Sequence, residues 1–179
     1  MKPFEGPALS ILIVLTFLLG SSGAHAQTEP GTAREAGSPE STAQLWQPGD
    51  PGQKLFIRGR VTDSGGAPLA GVVVSLRQAD GNGEYHPERY RATLRTDEQG
   101  SYQLRTVLPG QEYGFRHIHI SFSHNEYASL ATEIVFKGDP NLDPVAAQEL
   151  AIPLETAVLG DDEVLLGQFQ VVLTPVGEN

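Results

Sequence analysis

Short runs of alternating or continuous apolar residues recur along the C-terminal two-thirds of the chain. From Lys54 onward they cover residues 55–61, 71–76, 93–96, 102–106, 116–122, 132–136, 150–154 and 167–173. Turn-forming segments such as Asp63-Ser-Gly-Gly66 and Asp80-Gly-Asn-Gly83 separate them. Many short strands at this spacing predict an all-β domain over residues 54–179, an antiparallel β-sandwich or barrel. The one helix that the pattern suggests is short, at residues 144–150.

The residues before this domain have a different character. Residues 1–26 combine Lys2, an apolar run at residues 8–19 and the small residues of Ala24-His25-Ala26, which predicts a secretory signal peptide cleaved near Ala26. The apolar run is too short to favour the alternative, an uncleaved membrane anchor. Residues 27–53 are rich in Gly, Pro, Ser, Thr, Ala and Glu and predict a flexible linker or a surface arm, which Trp46 would dock. The mature protein is therefore expected outside the cytoplasm, in the periplasm or the extracellular space.

The composition of the chain argues against several classes of partner and site. The chain has 179 residues, 22 acidic against 12 basic, and a net charge of −10. With no cluster of Lys and Arg, this balance argues against nucleic acid and against a membrane surface as partners. The absence of cysteine excludes disulfides, thiolate zinc sites and thiol catalysis. The fold must be stabilised by its core, with a metal as an additional link.

The residues that suggest chemistry are two histidines and two tyrosines. In a strand, His117 and His119 point to the same side while Ile118 faces the other. Such a pair is half of a transition-metal site, although two surface histidines would show the same pattern. Tyr113 lies just before the pair and Tyr85 closes the Asp80 loop. Phenolate oxygens are hard anionic donors that suit Fe(III).

Three segments resemble a known family. They are Leu76-Arg-Gln-Ala-Asp-Gly-Asn-Gly-Glu-Tyr85, the stretch from Thr96 to Pro109-Gly-Gln-Glu-Tyr113, and Arg116-His-Ile-His119. In this order they resemble the intradiol ring-cleavage dioxygenases of the protocatechuate 3,4-dioxygenase type, over roughly residues 55–173. The resemblance implies a β-sandwich that holds one Fe(III) through Tyr85, Tyr113, His117 and His119.

The same resemblance implies an activity. A catechol-type aromatic diol would bind the iron through both oxygens and displace the axial ligand, Tyr113. O2 would then be inserted with cleavage between the two hydroxyl-bearing carbons, which gives a muconate-type diacid. The implied cofactor is Fe(III) alone, and the implied partners are the diol and O2.

Several positions depart from the family pattern. The family arginine precedes the first ligand histidine by three residues, whereas Arg116 immediately precedes His117. Arg116 is assigned a catalytic role together with Tyr113, although adjacent strand residues face opposite sides. Glu133 and Gln78 are assigned to substrate binding, and the carboxylate of Glu133 would favour a neutral catechol over a benzoate-type substrate.

Two further departures concern Arg77, which replaces a family tryptophan, and the short link between Tyr113 and His117. These differences keep an alternative open. Residues 59–74 form a strand, turn and strand like those that begin transthyretin-like and carboxypeptidase-regulatory-like domains, so the chain could be a non-catalytic exported binding module. A third interpretation is iron binding without ring cleavage. The oligomeric state is left open.

Overall fold

The structure, a computed structural model, describes residues 40–112 and 114–177, apart from the side chains of residues 146–148. The predicted signal peptide at residues 1–26, most of the predicted arm and the predicted iron ligand Tyr113 lie outside the described residues. The signal peptide and the role of Tyr113 therefore stay predictions.

The regular secondary structure of the described residues is almost wholly strand. In chain order the elements are β1 (Thr42–Gln44), β2 (Lys54–Asp63), β3 (Val73–Gln78), β4 (Arg91–Arg95), β5 (Ser101–Val107), β6 (His117–His124), β7 (Tyr127–Val135), α1 (Pro144–Glu149), β8 (Glu155–Leu159) and β9 (Asp162–Leu173). One sheet has the order β1-β5-β2-β9-β8 and the other the order β4-β3-β6-β7. The pairs β1–β5 and β2–β9 are parallel, and all other neighbouring strands are antiparallel. The predicted antiparallel β-sandwich is confirmed, and the two parallel pairs are features that the sequence did not predict.

The inner faces of the two sheets form one apolar core. The first sheet contributes alternate residues such as Leu55, Ile57 and Val61, all at most 1 % exposed. The second sheet contributes a similar alternation, and the apolar residues that β6 adds to the core are Ile118, Ile120 and Phe122. Because strand residues alternate between the two faces of a sheet, the odd-numbered residues of β6 face outward. His117, His119 and Ser121 therefore lie on the outer face of the four-stranded sheet.

Most of the predicted elements are present, with three differences. The predicted strand at 150–154 is absent; this segment follows α1 and makes only an isolated bridge between Phe136 and Ile152. Strand β8, which the sequence did not predict, pairs with β9 at the edge of its sheet. Strand β1 lies inside the predicted arm and pairs with β5, so the folded domain includes residues before Lys54. No helix among the described residues is long and apolar enough to cross a membrane.

Candidate metal centre

Two imidazoles meet on the outer face of the four-stranded sheet. The Nε2 atoms of His117 and His119 lie 3.2 Å apart, and the two rings are nearly perpendicular, at 83°. His117 is buried, with 2 % of its side chain exposed, whereas His119 is 31 % exposed. The strand alternation of β6 therefore brings the two predicted ligands to one point, with His119 on the solvent side.

The other ring nitrogen of each histidine faces an oxygen. His117 Nδ1 is 3.4 Å from the carbonyl oxygen of Phe115, which can only accept a hydrogen bond. His119 Nδ1 is 3.3 Å from Oε1 of Glu133 on the neighbouring strand. Both arrangements favour the tautomer protonated at Nδ1, which leaves an Nε2 lone pair on each ring. Metal-binding histidines commonly donate one ring N–H to an oxygen acceptor and bind the metal through the other ring nitrogen.

The charge state of His119 also suits a metal ligand. Burial lowers the pKa of His119; the neighbouring ring of His117 and the guanidinium of Arg77 act in the same direction, while Glu133 and Glu112 oppose them. The net effect is a lowered pKa, so the neutral imidazole is favoured near pH 7. Only the neutral ring has a lone pair to offer a metal ion.

A tight turn places a carboxylate beside the two histidines. Glu112 and Phe115 exchange two backbone hydrogen bonds, of 3.1 and 3.2 Å, and Gly114 in the turn has a φ of 103°. The Phe115 ring packs on the His117 ring, with centroids 4.9 Å apart. Glu112 Oε2 consequently lies 3.3 Å from His117 Nε2, buried and without a hydrogen-bond donor among the described residues.

The loop that carries Tyr85 is fixed by one aspartate. Asp80 Oδ1 accepts hydrogen bonds from the backbone N–H groups of Asn82 and Glu84, and Oδ2 lies 2.9 Å from His86 Nε2. Burial by itself raises the pKa of Asp80, but these hydrogen bonds outweigh burial and leave that pKa lowered. The carboxylate is thus an integral part of the turn that leads into Tyr85.

This loop packs directly against the chain that leads into the Glu112 turn. The Gly110 N–H donates to the Asp80 carbonyl at 2.7 Å. A Cβ on Gly110 would lie 2.2 Å from the Gly83 nitrogen, and a Cβ on Gly83 would lie 2.6 Å from the Gln111 carbonyl oxygen. Only glycine permits such close backbone contact. The two glycines therefore hold the Tyr85 loop next to the turn that carries Glu112.

A row of charged side chains crosses the outer face of the sheet at the level of His119. Arg91, Arg77, His119 and Glu133 are direct cross-strand neighbours on β4, β3, β6 and β7. The Arg77 guanidinium carbon is also 6.0 Å from the centroid of the Tyr85 ring, which is 39 % exposed. Arg77 is thus a neighbour of the Tyr85 ring and, across the strand pair, of His119.

Two open grooves flank His119. One, of about 570 Å³, is lined by polar and charged side chains that include Arg77, Arg91 and Ser121. The other, of about 520 Å³, has more apolar walls, among them Phe115, Leu142 and Leu150, and is bordered by Glu133. Either groove has room for an aromatic ring beside the exposed edge of His119.

The remaining predicted site residues have different environments. Arg116 precedes β6; its backbone N–H donates to Asp139 Oδ2 at 2.7 Å, and its side chain forms no hydrogen bond or ion pair with another described residue. Glu133 borders the site through its contact with His119. The catalytic role assigned to Arg116 and the substrate role assigned to Glu133 stay predictions.

Gln78 differs from the substrate-binding residue that was expected. Its side chain is 0 % exposed, on the core face of β3. Its amide nitrogen donates to the carbonyls of Ala79 and Val107, and its amide oxygen accepts from Thr106 Oγ1. With every one of these groups inside the protein, Gln78 joins the ends of β3 and β5 beneath the two site loops and has no surface for a substrate.

The donor set fits a metal ion. The Nε2 atoms of His117 and His119 and Oε2 of Glu112 all lie within 4.8 Å of one another. With both rings protonated at Nδ1, all three atoms present lone pairs to one point, where a single cation can bind them together. Imidazole, carboxylate and phenolate donors together suit iron better than a soft metal.

Two other features of the molecule are weaker candidates for a metal or ligand site. Asp80, Glu84 and His86 form a second group of possible donors, but Asp80 is already occupied by the hydrogen bonds of its own turn. A cavity of about 430 Å³ lies against the first sheet, lined by residues such as Phe56, Leu159 and Leu166. It lies away from the histidines and contains no comparable donor set.

The comparison with known proteins decides the family. The family model described as dioxygenase matches residues 28–175. Catechol 1,2-dioxygenase 2 of Acinetobacter lwoffii is 34 % identical over 151 residues, which cover 69 % of this chain and 55 % of that protein. The chain belongs to the intradiol ring-cleavage dioxygenase family.

Solved structures of this family have the same fold. The 3-chlorocatechol 1,2-dioxygenase of Rhodococcus opacus superposes with a TM-score of 0.67 and 25 % identity, covering 78 % of this chain and 68 % of that one. The dioxygenase domain of a dioxygenase–carbohydrate-binding fusion from Streptomyces sp. SirexAA-E gives a TM-score of 0.61 and 30 % identity, covering 83 % and 96 %. The chain spans about half the length of the curated relatives it matches, but nearly all of that isolated dioxygenase domain.

Sequence reasoning missed two residues of the site. The sequence did not predict a role at the site for Glu112, which directly precedes Tyr113. It indicated Arg77 only as a departure from the family pattern. The available signal was spacing: Arg77 immediately precedes the Gln-Ala-Asp segment, and Glu112 is five residues before His117. Neither spacing specifies a contact until the turn and the sheet register are known.

Proposed function

We propose that this protein binds one ferric ion at His117 and His119 and catalyses intradiol cleavage of a catechol-type aromatic by O2. The convergence of the two Nε2 atoms, each with its Nδ1 turned toward an oxygen, carries the proposal. Family membership supports the reaction type, since the matched relatives include proteins named catechol and chlorocatechol 1,2-dioxygenases.

Phenolate donors would complete the iron site. Tyr85, which follows the loop fixed by Asp80, is one predicted phenolate, and Tyr113, which lies outside the described residues, is the other. The Arg77 guanidinium carbon lies 6.0 Å from the centroid of the Tyr85 ring. Ferric iron, when bound, acts as a Lewis acid that withdraws electron density from a catecholate ring and makes the ring reactive toward O2.

The protein's own residues would orient the substrate. His119 presents its exposed edge to the two grooves, so a ring bound next to it can extend into either one. Arg77 lies on one side and Glu133 on the other, with opposite charges. A small diol fits between them, and the balance of the two charges decides whether a carboxylated ring is accepted.

An export route is part of the proposal. The apolar run and Ala24-His25-Ala26 at the N-terminus support secretion with cleavage after Ala26. Expression of the full chain, fractionation of the culture and mass spectrometry of the N-terminus test it. A mature protein outside the cytoplasm that starts at Gln27 is expected, whereas an intact Met1 in the cytoplasmic fraction would contradict export.

The central experiment is iron loading followed by spectroscopy and oxygen uptake. The expected result is one iron per chain, a visible phenolate-to-iron charge-transfer band that shifts on adding catechol, and consumption of one O2 per ring cleaved. His119→Ala should lose both iron and activity, while His124→Ala, at the far end of the same strand, should retain both.

Three outcomes are informative. A wild-type protein that takes up no iron would contradict the proposal and favour a binding module. Iron uptake without oxygen consumption across a panel of catechols would leave a metal-binding protein without ring cleavage. Cleavage beside rather than between the hydroxyl groups, seen in the product spectrum, would contradict the intradiol assignment.

A further inference from the structure

We infer that Glu112 is a direct ligand of the metal ion, which adds a carboxylate to the two histidines. The inference rests on the proposed function, because it concerns the same ion, and it extends that function by a donor of a different chemical class. The carrying observation is the buried Oε2 of Glu112, which faces two imidazole nitrogens and has no hydrogen-bond donor among the described residues.

The distances agree with a shared ion. Nitrogen and oxygen ligands lie about 2.0–2.2 Å from a first-row metal ion, so two ligands of one ion are separated by about 3–4.4 Å. Glu112 Oε2 is 3.3 Å from His117 Nε2, and the two Nε2 atoms are 3.2 Å apart. All three separations stay below 4.8 Å. The spacing is therefore that of ligands around one centre, with no rearrangement of the turn needed.

The hydrogen-bond pattern explains why the carboxylate needs a cation there. In the tautomer protonated at Nδ1, His117 donates to the Phe115 carbonyl oxygen and its Nε2 presents a lone pair to Glu112. Two lone pairs and a carboxylate oxygen then face one another without a proton between them. A buried oxygen in this position is unfavourable unless a positive ion compensates it. A metal ion satisfies all three atoms at once.

The local fold holds Glu112 in this position. The two backbone hydrogen bonds of the Glu112–Phe115 turn and the contact between the Phe115 and His117 rings fix the base of the side chain. The Gly110–Gly83 contact fixes the chain just before it. A carboxylate held on a constrained turn is preorganised as a ligand, in contrast to Glu133, which is 41 % exposed and lies on the Nδ1 side of His119.

The test compares two carboxylates that each lie 3.3 Å from an imidazole nitrogen. Glu112→Gln removes the charge on the Nε2 side, and Glu133→Gln removes it on the Nδ1 side but keeps an acceptor. Iron content is measured after loading, and iron affinity by competition with a chelator. We expect Glu112→Gln to weaken iron binding about 100-fold and Glu133→Gln to weaken it less than about 10-fold.

Thermal unfolding of the metal-free protein gives an independent readout. A glutamine at position 112 can donate its amide N–H to His117 Nε2, so the metal-free variant should melt at the same temperature as wild type or higher. The same variant should lose most of the increase in melting temperature that iron produces in wild type. A purely structural role for Glu112 would instead lower the melting temperature of the metal-free variant.

The outcomes separate this inference from the proposed function. If wild type binds iron and Glu112→Gln binds it within about threefold of wild type, the carboxylate is not a ligand and the proposed function is unaffected. If wild type binds no iron under any loading condition, the proposed function fails as well. If Tyr113→Phe abolishes iron uptake while Glu112→Gln retains it, the phenolate alone is the donor and the inference is overturned.

Discussion

Each histidine of the site presents a specific ring nitrogen, and this choice decides what the site can bind. The oxygens of Phe115 and Glu133 hold Nδ1 of His117 and His119, which directs both Nε2 atoms to the point where Glu112 ends. Had the rings been flipped, the lone pairs would have pointed away from each other. The chemistry of the site thus depends on neighbours that would not themselves bind an ion.

Opposite charges on the two sides of His119 predict a change in substrate preference. Arg77→Gln should lower the ratio of kcat/KM for a carboxylated catechol to that for catechol about 2- to 5-fold. Glu133→Gln should raise the same ratio by a similar factor, because partly exposed charge interactions are worth only about 0.2–1 kcal/mol. Steady-state oxygen uptake with protocatechuate and with catechol measures both ratios.

Arg95→Gln is the matched control for this pair. Arg95 lies on β4, pairs with Val73 and donates to the Gly71 carbonyl, at the other end of the strand from Arg91. Its substitution should leave the ratio unchanged. Equal shifts in Arg95→Gln and Arg77→Gln would show that general charge, rather than the groove, controls the preference.

At this scale the sequence predicted part of the site. The spacing of His117 and His119 correctly predicted a shared face, because strand periodicity is local. It could not predict the burial of Gln78, whose partners Val107 and Thr106 come from another sheet. Nor could it predict the contact of Glu112 with His117, which depends on a turn closed by Phe115.

At the level of the elements, the site depends most on one contact. The Asp80 loop packs there against the segment that leads to Glu112. The loop belongs to the end of β3 and the other segment to the end of β5, so the two sheets meet here. Backbone packs on backbone at Gly83 and Gly110. A side chain at either position would push apart the segments that carry Tyr85 and Glu112.

Gly83→Ala and Gly110→Ala should therefore destabilise the protein and weaken iron binding together. Gly83 adds the strain of a φ of 89° to a Cβ contact of 2.6 Å, and we expect a loss of more than about 2 kcal/mol in the free energy of unfolding. Urea denaturation and chelator competition measure the two effects. Gly65→Ala, in an exposed turn where a Cβ would be 3.3 Å from the Asp63 carboxylate, should cost less than about 1 kcal/mol.

The Asp80 turn predicts a pH dependence of stability. The folded-state pKa of Asp80 is lowered from the ordinary value of 3.8. Below about pH 4 the unfolded chain therefore binds more protons at this residue than the folded chain does, and the stability of the fold decreases as the pH falls. Asp80→Asn should be about 1–3 kcal/mol less stable than wild type at pH 7. The difference should shrink as the pH falls below about 4, as measured by urea denaturation at several pH values. A difference that does not depend on pH would contradict this role of the carboxylate.

The elements that the sequence missed have a common physical cause. β8 is mostly exposed and lies at the edge of its sheet, so burial imposes no alternation on it; its pairing comes from the hairpin with β9. β1 has three residues in a parallel pair with β5, across a long separation in the chain. The apolar run at 150–154 resembled a strand, yet Ile152 makes only a single bridge.

For the whole molecule, the absence of disulfides means that a bound metal ion would be the strongest link between distant segments. A ligand that binds only the folded state stabilises it by about 2.7 kcal/mol at 100 times its Kd. For a domain of this size, iron loading should raise the melting temperature by about 5–10 °C. Calorimetry with and without a chelator measures the increase, which His119→Ala should abolish; an equal increase in that variant would show that iron binds elsewhere.

The sequence by itself determined the class of fold and the family, because alternation, turn residues and the order of the Tyr, Tyr and His-x-His elements are local properties of the chain. It also determined that His117 and His119 share a face. Tertiary structure decided which residues meet that pair: Arg77 and Glu133 through sheet register, Phe115 and Glu112 through a closed turn. Register and turn closure depend on contacts between distant segments, and those contacts exist only once the two sheets have packed.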